Sequence, residues 1–169
     1  LSTLHTNSAA AAIPRLLDMG AEPFLVASTV NGIIAQRLVR KLCGDCKKEH
    51  HLSEKEVHSL SKSMDVERIA QYISQTQQKE SSASLAGITF YTPGGCEQCG
   101  QSGYKGRLGI FELVEMSDGV RKKVSERAPS HDIETLSREE GMHLMVEDGM
   151  YKAAQGLTSI EEVLRVTQE

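Results

Sequence analysis

The sequence has 169 residues and a formal net charge of −4 at pH 7, with 39% hydrophobic and 25% charged residues. This balance is typical of a soluble globular chain, and its acidic sum disfavours a nucleic-acid-binding protein, which normally presents a basic face. No apolar stretch approaches the roughly 18 residues of a membrane-spanning helix, and no basic segment precedes an apolar one as in a secretory leader. The first residue is Leu1 rather than Met, so we expect a fragment of a longer protein.

The first 42 residues have the patterns of a partial α/β domain. Residues 1–6 are predicted to form a buried strand, and a helix is predicted from the alanine run at 9–12 to Gly20. A second helix is predicted from about Pro23 to Leu38, because apolar residues recur there at helical spacing.

The middle of the chain alternates between helical patterns and short strands. Ser53 and Glu56 have the spacing of a capping box, so one or two amphipathic helices should follow. Residues 74–84 are rich in Ser, Gln, Thr and charge, which predicts a mobile loop. Short strands are predicted at 88–91 and 108–113.

The remainder of the chain is predicted to be helical. A helix should begin near Ser117 and end at Pro129, a second should be capped by Ser130 and run to about Gly141, and a third should begin around Met142. Thr158 and Glu161 have the spacing of a second capping box, which predicts the start of the final helix.

All four cysteines fall into two Cys-x-x-Cys pairs: Cys43, Cys46, Cys96 and Cys99. Two such pairs can supply the four thiolates that a tetrahedral Zn²⁺ site prefers. Because four sulfurs complete the coordination shell, we expect the site to be structural rather than catalytic. It would close the long excursion between residues 46 and 96.

Other interpretations of the cysteines remain open. Two disulfides are disfavoured by the lack of a secretory leader, and a thioredoxin-like redox pair would leave the second pair unexplained. His50 and His51 lie close in sequence to the first pair, so a mixed-ligand site is a further alternative.

Several segments resemble the ATPases that drive type II secretion and type IV pilus assembly. The first of them is similar to the "His box" of that family; the segments are 1–9, 13–20, 31–43, 103–112 and 156–166. The resemblance extends over nearly the whole chain except about 52–88. Because retraction motors of the same superfamily lack such cysteine pairs, it favours assembly or export.

The resemblance implies an α/β chain in three parts. These are the C-terminal remnant of a RecA-like ATPase core (1–42), an inserted four-cysteine zinc subdomain (43–110) and a C-terminal helical bundle (111–169). It also implies a homohexamer that uses ATP and Mg²⁺ on the cytoplasmic face of the inner membrane. There the motor would act through a membrane platform protein and would bind no nucleic acid.

The resemblance also implies nucleotide-handling residues. His5 matches the family histidine near the terminal phosphate and is implied as the catalytic residue, since an imidazole can donate a hydrogen bond to a γ-phosphate oxygen. Thr3, Thr6, Asn7 and Arg37 are implied as nucleotide contacts. Considered without the family, the favoured interpretation of His5 is an ordinary hydrogen-bonded histidine at a strand end.

No Gly-x-x-x-x-Gly-Lys-Ser/Thr loop occurs in the 169 residues. Phosphoryl transfer needs such a loop to position the phosphates, so we expect that this chain by itself does not hydrolyse ATP. Steady phosphate release by the purified chain would contradict this expectation.

The rival hypotheses for the function of the chain are a stand-alone zinc-ribbon interaction module and a redox sensor. A further hypothesis is that the lobe formed by residues 47–95 contacts a partner.

Overall fold

The computed structural model describes residues 1–77 and 84–168 and is a mixed α/β chain. The described residues form eight α-helices and two two-stranded sheets. The helices are α1 (Ala12–Asp18), α2 (Pro23–Thr29), α3 (Glu54–Leu60), α4 (Val66–Gln77), α5 (Asp118–Ser125), α6 (Ser130–Glu139), α7 (Met145–Ala154) and α8 (Ile160–Thr167). The strands are β1 (Gly32–Leu42), β2 (Lys48–His51), β3 (Thr89–Thr92) and β4 (Tyr104–Glu115). Among the described residues, no helix is both long and apolar enough to cross a bilayer.

Contacts divide the chain into two compact units. The first unit contains Leu1–Gln36 and Phe111–Met145, and the second contains Arg37–Ile110 and Val146–Glu169. Strands β1 and β4 pair with each other, and each continues from one unit into the other. The three-part division predicted from the sequence remains a prediction.

The core of the first unit is built mainly from α1, α2, α5 and α6. Its fully buried side chains are small or branched: Ala9, Ala10, Ile13, Val114, Val120, Val124 and Ile133. The buried carboxylate of Glu112 accepts hydrogen bonds from the N–H of Ala9 at 2.7 Å and of Met145 at 3.2 Å. These two bonds join segments distant in sequence and satisfy backbone donors that burial would otherwise leave unpaired.

The core of the second unit lies between the β2–β3 hairpin-like pair and helices α3, α4, α7 and α8. Strands β2 and β3 run antiparallel, with Lys48 opposite Thr92 and His51 opposite Thr89. The largest fully buried side chains here are apolar: Phe90, Ile69, Ile73, Leu85 and Met150. Arg68 of α4 forms an ion pair at 2.8 Å with the buried Glu147 of α7.

Two predictions for the first 42 residues are wrong. Residues 1–6 form neither helix nor strand and are largely exposed. The predicted second helix ends at Thr29, and β1 begins at Gly32. Ladder pairing with β4 supplies the hydrogen bonds that hold this β-branched segment extended, whereas residues 1–6 have no such ladder partner in the described chain.

The local predictions for the rest of the chain have mixed outcomes. The capping box of Ser53 and Glu56 is confirmed, with both reciprocal hydrogen bonds present. The predicted loop at 74–84 is wrong for its first residues, because α4 continues to Gln77; residues 78–83 lie outside the described chain. The predicted strands at 88–91 and 108–113 are confirmed within one or a few residues as β3 and β4.

The start of the final helix differs from the prediction by one residue. Ser159, not Thr158, caps α8 by accepting the N–H of Glu162 at 3.3 Å. The hydroxyl of Thr158 instead donates to the carbonyl of Arg40 at 2.8 Å. The hydroxyl that the capping pattern had assigned to the helix N-terminus therefore donates to a residue that is distant in sequence.

Candidate metal centre

The four cysteines lie together in the second unit. All four sulfurs are within 4.8 Å of one another. The Cys43–Cys96, Cys46–Cys99 and Cys96–Cys99 sulfur pairs are separated by 3.9, 3.8 and 3.7 Å. The two Cys-x-x-Cys pairs, which lie far apart along the chain, therefore form one cluster.

The spacing of the sulfurs fits a tetrahedral metal–thiolate centre. A tetrahedron with metal–sulfur bonds of about 2.3 Å has sulfur–sulfur edges of about 3.8 Å. A disulfide would instead bring two sulfurs to about 2.05 Å, and all four cysteines here are free. The four residues can therefore hold one metal ion, and they have the donor set that zinc prefers.

The histidines near the first pair do not join this cluster. Within the described part of the chain, the group of converging ligand atoms contains four cysteines and no histidine. His50 and His51 lie in β2, and the Nε2 atom of His50 contacts Glu56 at 3.2 Å. The geometry thus favours four sulfur donors over the mixed-ligand alternative.

Each cysteine pair sits on a tight turn at a strand end. Cys43 directly follows β1, and the N–H of Lys47 donates to its carbonyl at 3.1 Å. Cys96 opens a short 3₁₀ turn over Glu97–Cys99 that precedes β4. The N–H of Cys43 donates to the carbonyl of Gly103 at 2.9 Å, so the two turns are also hydrogen-bonded to each other.

Backbone N–H groups point at the sulfurs. Gly95 donates to Cys46, and Cys96 and Gly103 donate to Cys99, at 3.2–3.3 Å. Desolvation opposes ionisation of Cys99, but the donors from Cys96 and Gly103 outweigh it and lower its pKa to about 6. Desolvation, reinforced by the hydrogen bond with Cys99, raises the pKa of Cys96 to about 11. Four close thiols cannot all ionise unaided, so a cation is needed to hold four thiolates.

Two glycines permit the close approach of the turns. A Cβ added at Gly94 would lie 2.0 Å from the carbonyl oxygen of Cys46. A Cβ added at Gly103 would lie 2.4 Å from Cβ of Pro93, and Gly103 also has a φ of +74°. Side chains at these positions would push the turns apart.

We expect Gly103→Ala to destabilise the second unit by about 2 kcal/mol, because it adds a clash to a left-handed backbone. Bound metal per chain should fall in parallel, since the clash with Pro93 would displace the backbone N–H of residue 103 that donates to Cys99. Urea unfolding and elemental analysis measure the two effects. Gly44→Ala is the matched control, because a Cβ at Gly44 meets no atom within 4 Å. Equal losses in both variants would contradict the steric explanation.

The segment between α7 and α8 packs against the first cysteine turn. Lys47 donates to the carbonyl of Gly156 at 3.0 Å and lies over the ring of Tyr91 at 4.6 Å. The N–H of Leu42, just before Cys43, donates to the carbonyl of Leu157 at 2.9 Å. The first cysteine turn is therefore hydrogen-bonded to the connection between α7 and α8 in the same unit.

Of the predicted nucleotide residues, four lie in the first unit, apart from the unit that contains the cysteines, and Arg37 lies in the second unit. His5 and Asn7 are exposed in the N-terminal segment of the first unit, with Thr3 also exposed. The hydroxyl of Thr6 donates to the carbonyl of Ser8 at 3.0 Å. Arg37 is half-buried in β1 and belongs to the second unit. Their predicted contacts with nucleotide remain predictions.

Sequence reasoning missed a buried acidic residue that holds two arginines. Glu162, whose side chain is 1% exposed, accepts from Arg40 at 2.5 Å and from two nitrogens of Arg165 at 3.0 Å. Desolvation would raise its pKa, but the hydrogen bonds from Arg165 and Arg40 prevail and lower it to about 2. The available signal was the spacing of Glu162 and Arg165, which lie three residues apart in the predicted final helix, as in a helical ion pair.

Comparison with known proteins identifies the family. The model of the family described as type II/IV secretion system protein matches residues 1–165. The chain belongs to this family. The match includes both cysteine pairs, and the family assignment based on separate sequence segments is thereby confirmed.

Curated relatives in this secretion family align along the whole chain. The type IV pilus assembly ATPase PilB of Pseudomonas aeruginosa is 40% identical over all 169 residues, which make up 26% of its length. The type II secretion system protein E of Xanthomonas campestris is 44% identical over the same span, 27% of its length. The PilB of Thermus thermophilus is 38% identical, and the match is 17% of its length. The chain thus spans about a quarter or less of these relatives.

Proposed function

We propose that this chain is the C-terminal portion of a hexameric ATPase that powers type IV pilus assembly or type II protein secretion. The observation that supports the proposal most is the family match along residues 1–165, with relatives in both systems. In this proposal residues 1–42 are the remnant of a RecA-like core. Residues 43–110 form the zinc subdomain, and residues 111–169 form a helical bundle.

Zinc is the metal that we propose for the four-cysteine centre. The all-sulfur donor set and edges near 3.8 Å support this choice, because tetrahedral Zn²⁺–thiolate sites have these properties. With four protein ligands no position remains for substrate, so the role is structural. The ion would fix the turns that join β1, the segment before β4 and the α7–α8 junction.

Nucleotide coupling is proposed for the N-terminal segment. In the full-length motor His5 would report the terminal phosphate of ATP, with Mg²⁺ present at that phosphate. Thr3, Thr6, Asn7 and Arg37 would supply polar contacts. The exposed position of His5 is compatible with a ligand reaching its imidazole. We further propose that the motor works at the cytoplasmic face of the inner membrane through a platform protein, without nucleic acid.

His5→Ala in the full-length motor should lower ATP turnover about tenfold, because it removes a hydrogen bond to the phosphate at which charge develops. Phosphate release measured with saturating ATP tests this expectation. His58→Ala is the matched control, since His58 is an exposed helical histidine in α3 without an assigned role. Unchanged turnover in the His5 variant would favour the stand-alone zinc-ribbon alternative.

A further inference from the structure

Three arginines line one open pocket of the second unit. Arg40 comes from β1, Arg107 from β4 and Arg165 from α8, and Leu38 completes the lining. The pocket has a volume of about 610 Å³, which is larger than a phosphate group and its first waters require. Three guanidinium groups thus converge on one recess of a chain whose net charge is −4.

Two of these guanidinium groups are held in place by hydrogen bonds to one buried carboxylate. The buried carboxylate of Glu162 binds both Arg40 and Arg165, and its second oxygen also accepts the backbone N–H of Arg40 at 3.0 Å. The guanidinium carbon of Arg40 lies 4.1 Å from the centre of the Tyr104 ring. Because these contacts fix the arginines before any ligand arrives, an anion would bind without paying the full cost of ordering them.

The pocket carries an excess of positive charge. Three arginines line the pocket, and the carboxylates that act on Arg40 are those of Glu162, which is hydrogen-bonded to it, and of Glu161. Arg107 is exposed and has no ion pair with any described residue. Positive charge therefore remains in excess at the pocket, and three guanidinium groups suit an anion with several acceptor oxygens.

We propose that this pocket binds a phosphate-bearing anion. The guanidinium fork matches the spacing of phosphate oxygens and forms charge-assisted hydrogen bonds with them. A soluble phosphate compound and a phospholipid headgroup share this chemistry. The site lies in the second unit, whereas His5 belongs to the first, so this inference goes beyond the proposed function.

Calorimetric titration of the metal-loaded chain with inorganic pyrophosphate at about 50 mM salt tests the proposal. Arg107→Gln should weaken binding about tenfold, because it removes one charge-assisted contact without disturbing Glu162. Lys105→Gln is the matched control: it removes the same charge from the same face of β4, two residues away and outside the pocket lining. Binding in this variant should stay within about twofold of the unaltered chain.

Vesicle sedimentation distinguishes a phospholipid headgroup from a soluble phosphate compound as the ligand. The vesicles contain anionic phosphatidylglycerol, and neutral phosphatidylcholine vesicles are the reference. Vesicle binding that Arg107→Gln weakens and Lys105→Gln preserves supports the pocket and assigns its ligand to a lipid headgroup. The same pattern with pyrophosphate alone supports a soluble ligand. Binding to neither probe, or equal effects of the two substitutions on each probe, would overturn the proposal.

Discussion

Cys99→Ser is expected to abolish metal binding and to lower the melting temperature of the second unit by more than about 10 °C. Cys99 contacts the sulfurs of Cys46 and Cys96 and accepts two backbone N–H groups. Its hydroxyl replacement would leave a three-sulfur site and weaker acceptors. Because a structural ion binds the folded state only, losing it removes binding free energy directly from stability.

Elemental analysis and thermal unfolding followed by circular dichroism measure the two consequences. His51→Ala serves as the control, since His51 is exposed in β2 and lies outside the sulfur cluster. That variant should keep one equivalent of zinc per chain. Zinc retained by Cys99→Ser, or lost by His51→Ala, would disprove the four-sulfur assignment.

Glu162→Gln is expected to destabilise the chain by about 3 kcal/mol at pH 7. The substitution leaves Arg40 and Arg165 without their shared carboxylate and keeps a neutral amide at a site with 1% exposure. Each arginine side chain is about half-exposed, at 50% and 53%, so water partly compensates for the lost pairs. Glu161→Gln, which changes the exposed neighbouring residue, should alter stability by less than about 0.5 kcal/mol.

The destabilisation caused by Glu162→Gln should become smaller as the pH falls. The pKa of Glu162 is lowered to about 2 in the folded chain, so its carboxylate stabilises the fold above the unfolded pKa near 4.5. That contribution is lost as pH falls from about 4.5 through about 2. Urea unfolding at pH 7 and pH 3 should therefore show a smaller difference between the two proteins at pH 3. Metal content measured for both proteins at each pH separates any effect of metal loss from the effect of Glu162. A difference independent of pH would argue against an ionised residue.

Local patterns predicted several helices because the determinants lie within one turn. Ser53 caps α3 through atoms three residues away, and Ser117 caps α5 through the N–H of Val120 in the same manner. Such bonds form wherever the short segment becomes helical, so sequence spacing suffices to find them. Segment 32–42 lacked this kind of signal. Its apolar residues fit either a helical or an extended period, and pairing with β4 decided for a strand.

The sequence by itself determined the family, through several ordered motifs along the chain, and it determined the composition of the sulfur site, because two Cys-x-x-Cys pairs leave few chemical alternatives. Only the tertiary structure decided which distant groups meet. Arg40 and Glu162 are 122 residues apart, and Gly103 must be a glycine because Pro93 lies against it. The physical reason is that burial and ladder pairing act between segments whose separation in sequence carries no information about their distance in space.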